Sequence, residues 1–391
     1  MSEKNLDFDT VIERKHTKSL KYDFAAKRGK PEDVLPLWVA DMDFKVSSYI
    51  TDALESMISH GIFGYSESEE DYFEAVSGWM KRHHDWEVKE DWLVKTPGIV
   101  FALAMAVRAF TEKGDGVLIQ QPVYYPFGEV ILDNQRRLID NTLVLKENGR
   151  YEIDYADFER KIIEERVKLF ILCNPHNPVG RVWTKEELTR LGDICLKHNV
   201  FVISDEIHSD FVFEGKHHVF AHVKKEFEDI CMVCTSPSKT FNIAGLQISN
   251  IFLPNADAAR RFRKEVAAAG YSQVSLPGLV ACQAAYRYGD EWLRAVLAYI
   301  KENADFTRRY LREKIPKIKM IKQEGTYLVW LDFREYGLSD KELDKLILEE
   351  AGVWLDSGAV FGKCGEGFQR INIACPRATL ELALDRLAKV F

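Results

Sequence analysis

Five short runs in this chain are apolar from end to end: VLIQ (117–120), KLFILC (168–173), VFVISD (200–205), DICMVCT (229–235) and NIFLP (250–254). A strand with one wet face alternates polar and apolar residues, so uninterrupted runs of this length mark strands covered on both sides. Helical patterns separate them. Together they predict an α/β fold, a mostly parallel central sheet with helices on both faces. One helix start is explicit, because Thr184 followed three residues later by Glu187 forms a capping box opening TKEELTRLGDICLKH. Ligands of such sheets bind beyond the carboxyl ends of the strands, which directs the loops after Cys173, Ser204 and Thr235 toward one cleft.

Outside this region the pattern changes. A long helical stretch from Glu291 to about Arg312 precedes TYLVWLDF (326–333), a helix starting near Ser339, the alternating run FQRINIA (368–374) and a last helix to Phe391. The expected division is therefore a large domain over 48–288 and a smaller α+β domain built from 1–47 and 289–391.

Composition excludes several function classes. With 53 basic against 61 acidic side chains the net charge is -8, which disfavours a nucleic-acid or anionic-membrane surface. No apolar run approaches the roughly 20 residues of a spanning helix, and the start MSEKNLDFDTVIERKH has no signal-peptide pattern, so a cytoplasmic protein is expected. The seven cysteines are scattered, and the C-x-x-C pair Cys231 and Cys234 falls in a strand, where a spacing of three sends the thiols to opposite faces. Buried free thiols are expected rather than a disulfide framework. His217, His218 and His222, like His83 and His84, read as solvated loop residues, with no metal site.

The chemistry gathers at three strand ends. Asn174-Pro175-His176-Asn177-Pro178 follows the first, Asp205-Glu206-Ile207-His208 ends the second, and Ser236-Pro237-Ser238-Lys239 follows the third. A lysine at a buried strand end is costly unless its amine is used, and the usual use is a lowered pKa and an imine with a carbonyl. A pyridine-ring aldehyde needs an acid for its ring nitrogen, a donor for its hydroxyl and an amine for its carbonyl, and the three loops offer all of these.

At these positions the chain resembles the fold-type I pyridoxal-phosphate enzymes, the aspartate aminotransferase superfamily. NPHNPVG, SDEIH and SPSKTFNIAGLQ occur in that family's order, and VADMDF, QPVYYPF (121–127) and FGKCGEGFQRINIA (361–374) point to its MalY/PatB subgroup of cystathionine β-lyases and cystalysin-like C-S lyases. The resemblance implies pyridoxal 5'-phosphate held by Lys239, which also moves the substrate's Cα proton, with Asp205 paired to the ring nitrogen. It further implies Asn177 and His208 near the ring hydroxyl and Tyr124 stacked on the ring. Phosphate would lie against the backbone of Gly98, Ile99 and Val100 and the hydroxyls of Ser236 and Ser238. Arg370, with Asn177, would hold the substrate carboxylate, and Tyr65 would reach in from the partner subunit of a homodimer. Where aminotransferases usually carry a phosphate-binding arginine, eight residues past the lysine, this chain has Gln247.

Each residue also has a plainer reading. Asp205 suits a helix cap, Asn177 a turn, Arg370 a solvated strand face, and Tyr65 or Tyr124 an interface or core. The tetrapeptide Ser236-Pro237-Ser238-Lys239 matches the S-x-x-K of serine β-lactamases, but the companion motifs are missing, and no G-x-G-x-x-G or G-K-[ST] suggests a nucleotide. The resemblance implies β-elimination from cystathionine or a related cysteine conjugate, giving a thiol, pyruvate and ammonia. Transamination, or a non-catalytic regulator on the same fold, are the alternatives.

Overall fold

The computed structural model describes residues 6–391. Its centre is a seven-stranded sheet of β1 (Leu93–Thr96), β2 (Gly116–Ile119), β3 (Arg137–Asp140), β4 (Val167–Cys173), β5 (Phe201–Asp205), β6 (Cys231–Thr235) and β7 (Ser249–Phe252), in the order β1-β7-β6-β5-β4-β2-β3. Strands β2 to β6 pair in parallel, whereas β7 runs antiparallel to both β6 and β1. Between β6 and β7 the chain holds only the short helix Pro237–Thr240 and one further turn, with no helix long enough to cover a sheet face as parallel crossovers usually do. All five apolar runs fall on this sheet. Strands β1 and β3 carry Lys95, Arg137 and Asp140, so no continuous apolar run announces them.

Side-chain alternation divides the core between the two faces. Phe170, Leu172, Val202, Cys231 and Val233 pack on one side, and Leu169, Ile171, Ile203, Met232 and Cys234 on the other. Each such fully buried aliphatic contributes about 1.5 to 3 kcal/mol relative to exposure. The C-x-x-C thiols therefore do lie on opposite faces, and all seven cysteines are free.

The helices of the chain include α1 (Ile99–Phe110), α2 (Lys185–Lys197), α3 (Pro237–Thr240) and α4 (Asp290–Lys314), and α1 and α3 line the site cavity. The box opening α2 is present in full: Glu187 N–H donates to Thr184 Oγ1 at 3.2 Å, and Thr184 N–H to the Glu187 carboxylate at 2.8 Å. At Gly192 on the buried face of this helix an added Cβ would overlap the Phe227 ring, so the sequence must stay bare there.

A second, antiparallel sheet follows α4, with strands β8 (Lys319–Met320), β9 (Leu328–Asp332), β10 (Asp356–Ser357) and β11 (Phe368–Asn372) in the order β8-β9-β11-β10. The segment from Leu35 to Phe44 ties this sheet to the large one. Leu37 N–H donates to Trp354 O, Asn372 N–H to Leu37 O, and Asp43 N–H to Ala374 O. On its other side the Asn242 amide accepts from Met42 N–H at 2.9 Å and donates to the carbonyls of Met42 and Phe44, both at 3.0 Å. Among the described residues no helix is long and apolar enough to cross a membrane.

Candidate active site

Strands β4, β5 and β6 are neighbours, so the loops leaving their carboxyl ends meet over one cavity of about 410 Å³. Lys239, Asp205, Asn177, His208 and Tyr124 line it, with Gly98 to Val100 opposite. Lys239 reaches it from α3. Its Nζ donates to the Ala40 carbonyl at 2.6 Å, and burial pulls its pKa down to about 8, with Asp41 and Asp205 opposing that shift and Arg370 adding to it.

Asp205 is the last residue of β5 and is buried. Burial pushes its pKa up to about 7, partly offset by the Ile207 N–H that donates to Oδ1 at 3.1 Å. That is the carboxylate's one hydrogen bond among the described residues. A buried carboxylate so poorly satisfied calls for a cationic or N–H partner from the cavity.

His208 is held neutral, its pKa driven down to about 3 by burial and then by the positive charges of Lys239 and Arg370. Its Nδ1 is buried without a hydrogen-bond partner. The Asn177 Oδ1 accepts from Arg370 Nη1 at 3.1 Å, which leaves the amide Nδ2 free to donate. Tyr124 is anchored by its backbone N–H on the Asn177 carbonyl at 3.1 Å, and burial holds its phenol well above the ordinary range.

Across the cavity Gly98 precedes α1 and gives it no side-chain cap. The first N–H groups of this twelve-residue helix therefore face the cavity unsatisfied, a ready anion site. Ser238 lies on the same wall. Ser236 is set back from that wall. Its hydroxyl donates to the Ile248 carbonyl at 2.7 Å and accepts from Ser238 N–H at 3.1 Å, capping α3. Gln247, where an arginine is usual in aminotransferases, is on the cavity wall in the left-handed region at φ 54°.

Two residues lie apart. Arg370, on β11, is buried, and its guanidinium reaches Asn177, the Trp38 carbonyl at 2.7 Å and Asp356. Tyr65 is 98% exposed and borders a separate cleft of about 350 Å³ that shares Pro97 and Gln247 with the lysine cavity.

The histidine expectation needs correction. His84 is buried with Nε2 3.0 Å from Asp210, and buried His217 sits 2.8 Å from Glu206, so neither is a solvated loop residue. Their acidic partners lie 126 and 11 residues away, out of reach of local spacing. Among the described residues no group of three or more histidine, cysteine or acidic side chains is arranged to hold a metal. Sequence reasoning also missed the Ala40 carbonyl against Lys239 and the Asn242 clamp behind it. A backbone acceptor has no residue signature.

One strand running against six, with a lysine on the turn that follows the central parallel strands, defines the class as fold type I, the architecture of the pyridoxal-phosphate-dependent transferases. The chain belongs to the aminotransferase class I and II family, whose model matches residues 32–387. It is 44% identical over 383 residues to cystathionine beta-lyase PatB of Bacillus subtilis, covering 98% of this chain and 99% of that one. A PLP-bound putative aminotransferase from Clostridium difficile superposes with a TM-score of 0.97 at 45% identity, over 99% and 100% of the two chains. Cystalysin from Treponema denticola, whose crystal structure contains pyridoxal 5'-phosphate, gives 0.95 at 38% identity, over 99% of each.

Proposed function

We propose that this chain is a pyridoxal-phosphate-dependent C-S β-lyase acting on cystathionine or a related cysteine S-conjugate. The observation that carries the reading is the pairing, on one cavity wall, of an amine depressed to about 8 with a buried carboxylate that lacks a cation. Those two groups fit opposite ends of a pyridine aldehyde. Lys239 would hold the aldehyde carbon, Asp205 the protonated ring nitrogen, Asn177 and His208 the ring hydroxyl side, and Tyr124 a ring face. The N-terminus of α1 with Ser238 would take the phosphate, while Ser236 acts indirectly by fixing Ser238. Bound there, the cofactor supplies an electron sink for the charge left when the Cα proton departs.

The protein's own work is orientation and proton transfer. Arg370 fixes the substrate carboxylate and so the direction of the Cα–H bond. Lys239 removes that proton, for which an amine with a pKa near the working pH is well matched. Loss of the thiolate from Cβ, which takes up a proton to give the thiol, leaves an aminoacrylate, and water hydrolyses its imine tautomer after release to pyruvate and ammonia. PatB, a cystathionine beta-lyase by name, supports this outcome over transamination. Purified protein should release pyruvate from cystathionine. Amino transfer to 2-oxoglutarate without pyruvate would overturn the lyase reading in favour of the aminotransferase one.

We further infer a homodimer in which Tyr65 enters the partner's cavity, and the domain division at residues 48 and 288. The first is supported by the exposure of Ile62, Phe63 and Tyr65 together, and the second by the confinement of the large sheet to 93–252. Inactive Tyr65→Ala and Lys239→Ala variants should regain activity when dissociated and reassociated as a mixture. No regain would place Tyr65 outside the site.

A further inference from the structure

Arg370 reaches the edge of the lysine cavity through Asn177, with both Nη2 protons engaged and its buried Nε without a hydrogen-bond partner. Nη1 donates to Asn177 Oδ1 at 3.1 Å, and Nη2 donates to both the Trp38 carbonyl at 2.7 Å and the Asp356 carboxylate at 2.5 Å. A carboxylate bound in bidentate fashion needs two adjacent N–H groups, either the Nη1/Nη2 end or the Nε/Nη2 edge. Both options include Nη2, whose two protons are taken. Trp38 contributes a backbone carbonyl that cannot rotate away independently of its chain. Asp356 contributes a side chain.

The placement of Asp356 is built into the sheet. It lies directly opposite Arg370 in the β10–β11 pair, where facing side chains are about 5 Å apart. The charged and titratable groups acting on it come from three elements: Arg370 on β11, Asp344 on the helix Asp340–Lys345, and Tyr125 ahead of the helix Pro126–Asp133. Only Arg370 is cationic, and Asp344 is bound to Gln369 at 2.7 Å. Burial raises the Asp356 pKa, and Arg370 is what opposes that rise.

We propose that Asp356 is a resident competitor for the substrate carboxylate: substrate takes over the hydrogen bond that Arg370 Nη2 donates to it, and the released Asp356 carboxylate binds a proton from solvent. This rests on the reading of Arg370 as the carboxylate clamp. It makes Asp356 a specificity-determining residue, because the site tolerates one carboxylate on Arg370 and penalises a second anionic group beside it. The exchange keeps Arg370 neutralised in both states, so the buried guanidinium is never left unpaired. Charge balances, with one proton taken up per carboxylate bound.

The test uses the holoenzyme and 3-(methylthio)propionate, a thioether acid with no amino group to react. Calorimetric titration in two buffers of different ionisation enthalpy should show proton uptake on binding to the wild-type protein. Affinity should fall roughly tenfold per pH unit above the Asp356 titration. Asp356→Asn should bind this acid roughly fivefold or more tightly, lose the proton uptake, and lower KM with kcat little changed. Weaker binding in Asp356→Asn, or wild-type binding without proton uptake, would overturn the proposal and leave Asp356 a mere orienting partner. Arg370→Ala separates the two readings. If it binds the acid as well as wild type, the clamp itself is elsewhere; if it loses binding while Asp356→Asn is unchanged, only the competition fails.

Discussion

Two lysines of this chain are withdrawn from solvent to different degrees, Lys21 fully and Lys239 partly, and only the second is set up for chemistry. Lys21 is fully buried, with Nζ 2.7 Å from Asp43 and 3.6 Å from Asp41, and Asp43 also receives Arg14 and the Tyr22 hydroxyl. Lys239 meets a neutral backbone carbonyl instead, and its nearest acids act only through space. Burial is therefore not what marks a reactive amine. What marks it is burial without a bound carboxylate, which disfavours the ammonium and frees the lone pair.

Exchanging or removing the two amines should give opposite phenotypes. Lys239→Ala is expected to abolish lyase turnover and the visible absorbance of the bound cofactor while leaving thermal unfolding nearly unchanged. A surviving visible band would move the attachment to another lysine. Lys21→Met should do the reverse, retaining the band but destabilising the fold by about 3 to 5 kcal/mol, because Asp41 and Asp43 lose a buried counter-charge. Urea unfolding measures it, and an unchanged midpoint would mean Arg14 alone suffices.

The histidines of the cavity region extend the contrast to acid. His176 is fully buried, donates Nε2–H to the Pro122 carbonyl at 2.9 Å, and is held neutral with its pKa down to about 4, chiefly by burial. Between the ordinary value of 6.5 and about 4 the unfolded chain binds a proton that the folded chain refuses. Stability should therefore fall as pH falls through this window, by up to about 3 kcal/mol from this residue. His176→Gln, which keeps a donor, should flatten that slope in denaturant midpoints measured against pH. The smallest effect is expected at Ser236. Removing its hydroxyl costs α3 its cap, about 1 kcal/mol of stability, with cofactor affinity only modestly reduced. A large loss of cofactor with no loss of stability would restore Ser236 as a direct phosphate ligand.

Much of this was legible in the sequence because it is local. Runs apolar throughout locate β2, β4, β5, β6 and β7, and the residues at or just after the ends of three of them supply Asn177, Asp205 and Lys239. Orientation was less legible: the reversal of β7 goes with a connection that lacks a covering helix, which apolarity does not report. Ser236 was ambiguous for a physical reason. A hydroxyl before Pro237 serves equally as an anion ligand or a helix cap, and proline at the first helical position is the clue that favours the cap. The partners of Arg370, His84 and His217 were illegible, since cross-strand register and contacts between distant elements set them.

The cysteines carry a practical consequence. Six of the seven are buried and split between the two faces of the sheet or the neighbouring cores, while Cys364 alone is partly accessible. Burial raises the Cys231 and Cys234 thiols well above their usual range, so neither is a ready nucleophile while the sheet is intact. Cys364, though partly accessible, is itself pushed up to about 12 by burial, so a thiol-specific dye added to the native protein reads at most one slow site, and labelling of the other six times the opening of the central sheet and its flanking cores without any label having to be engineered in.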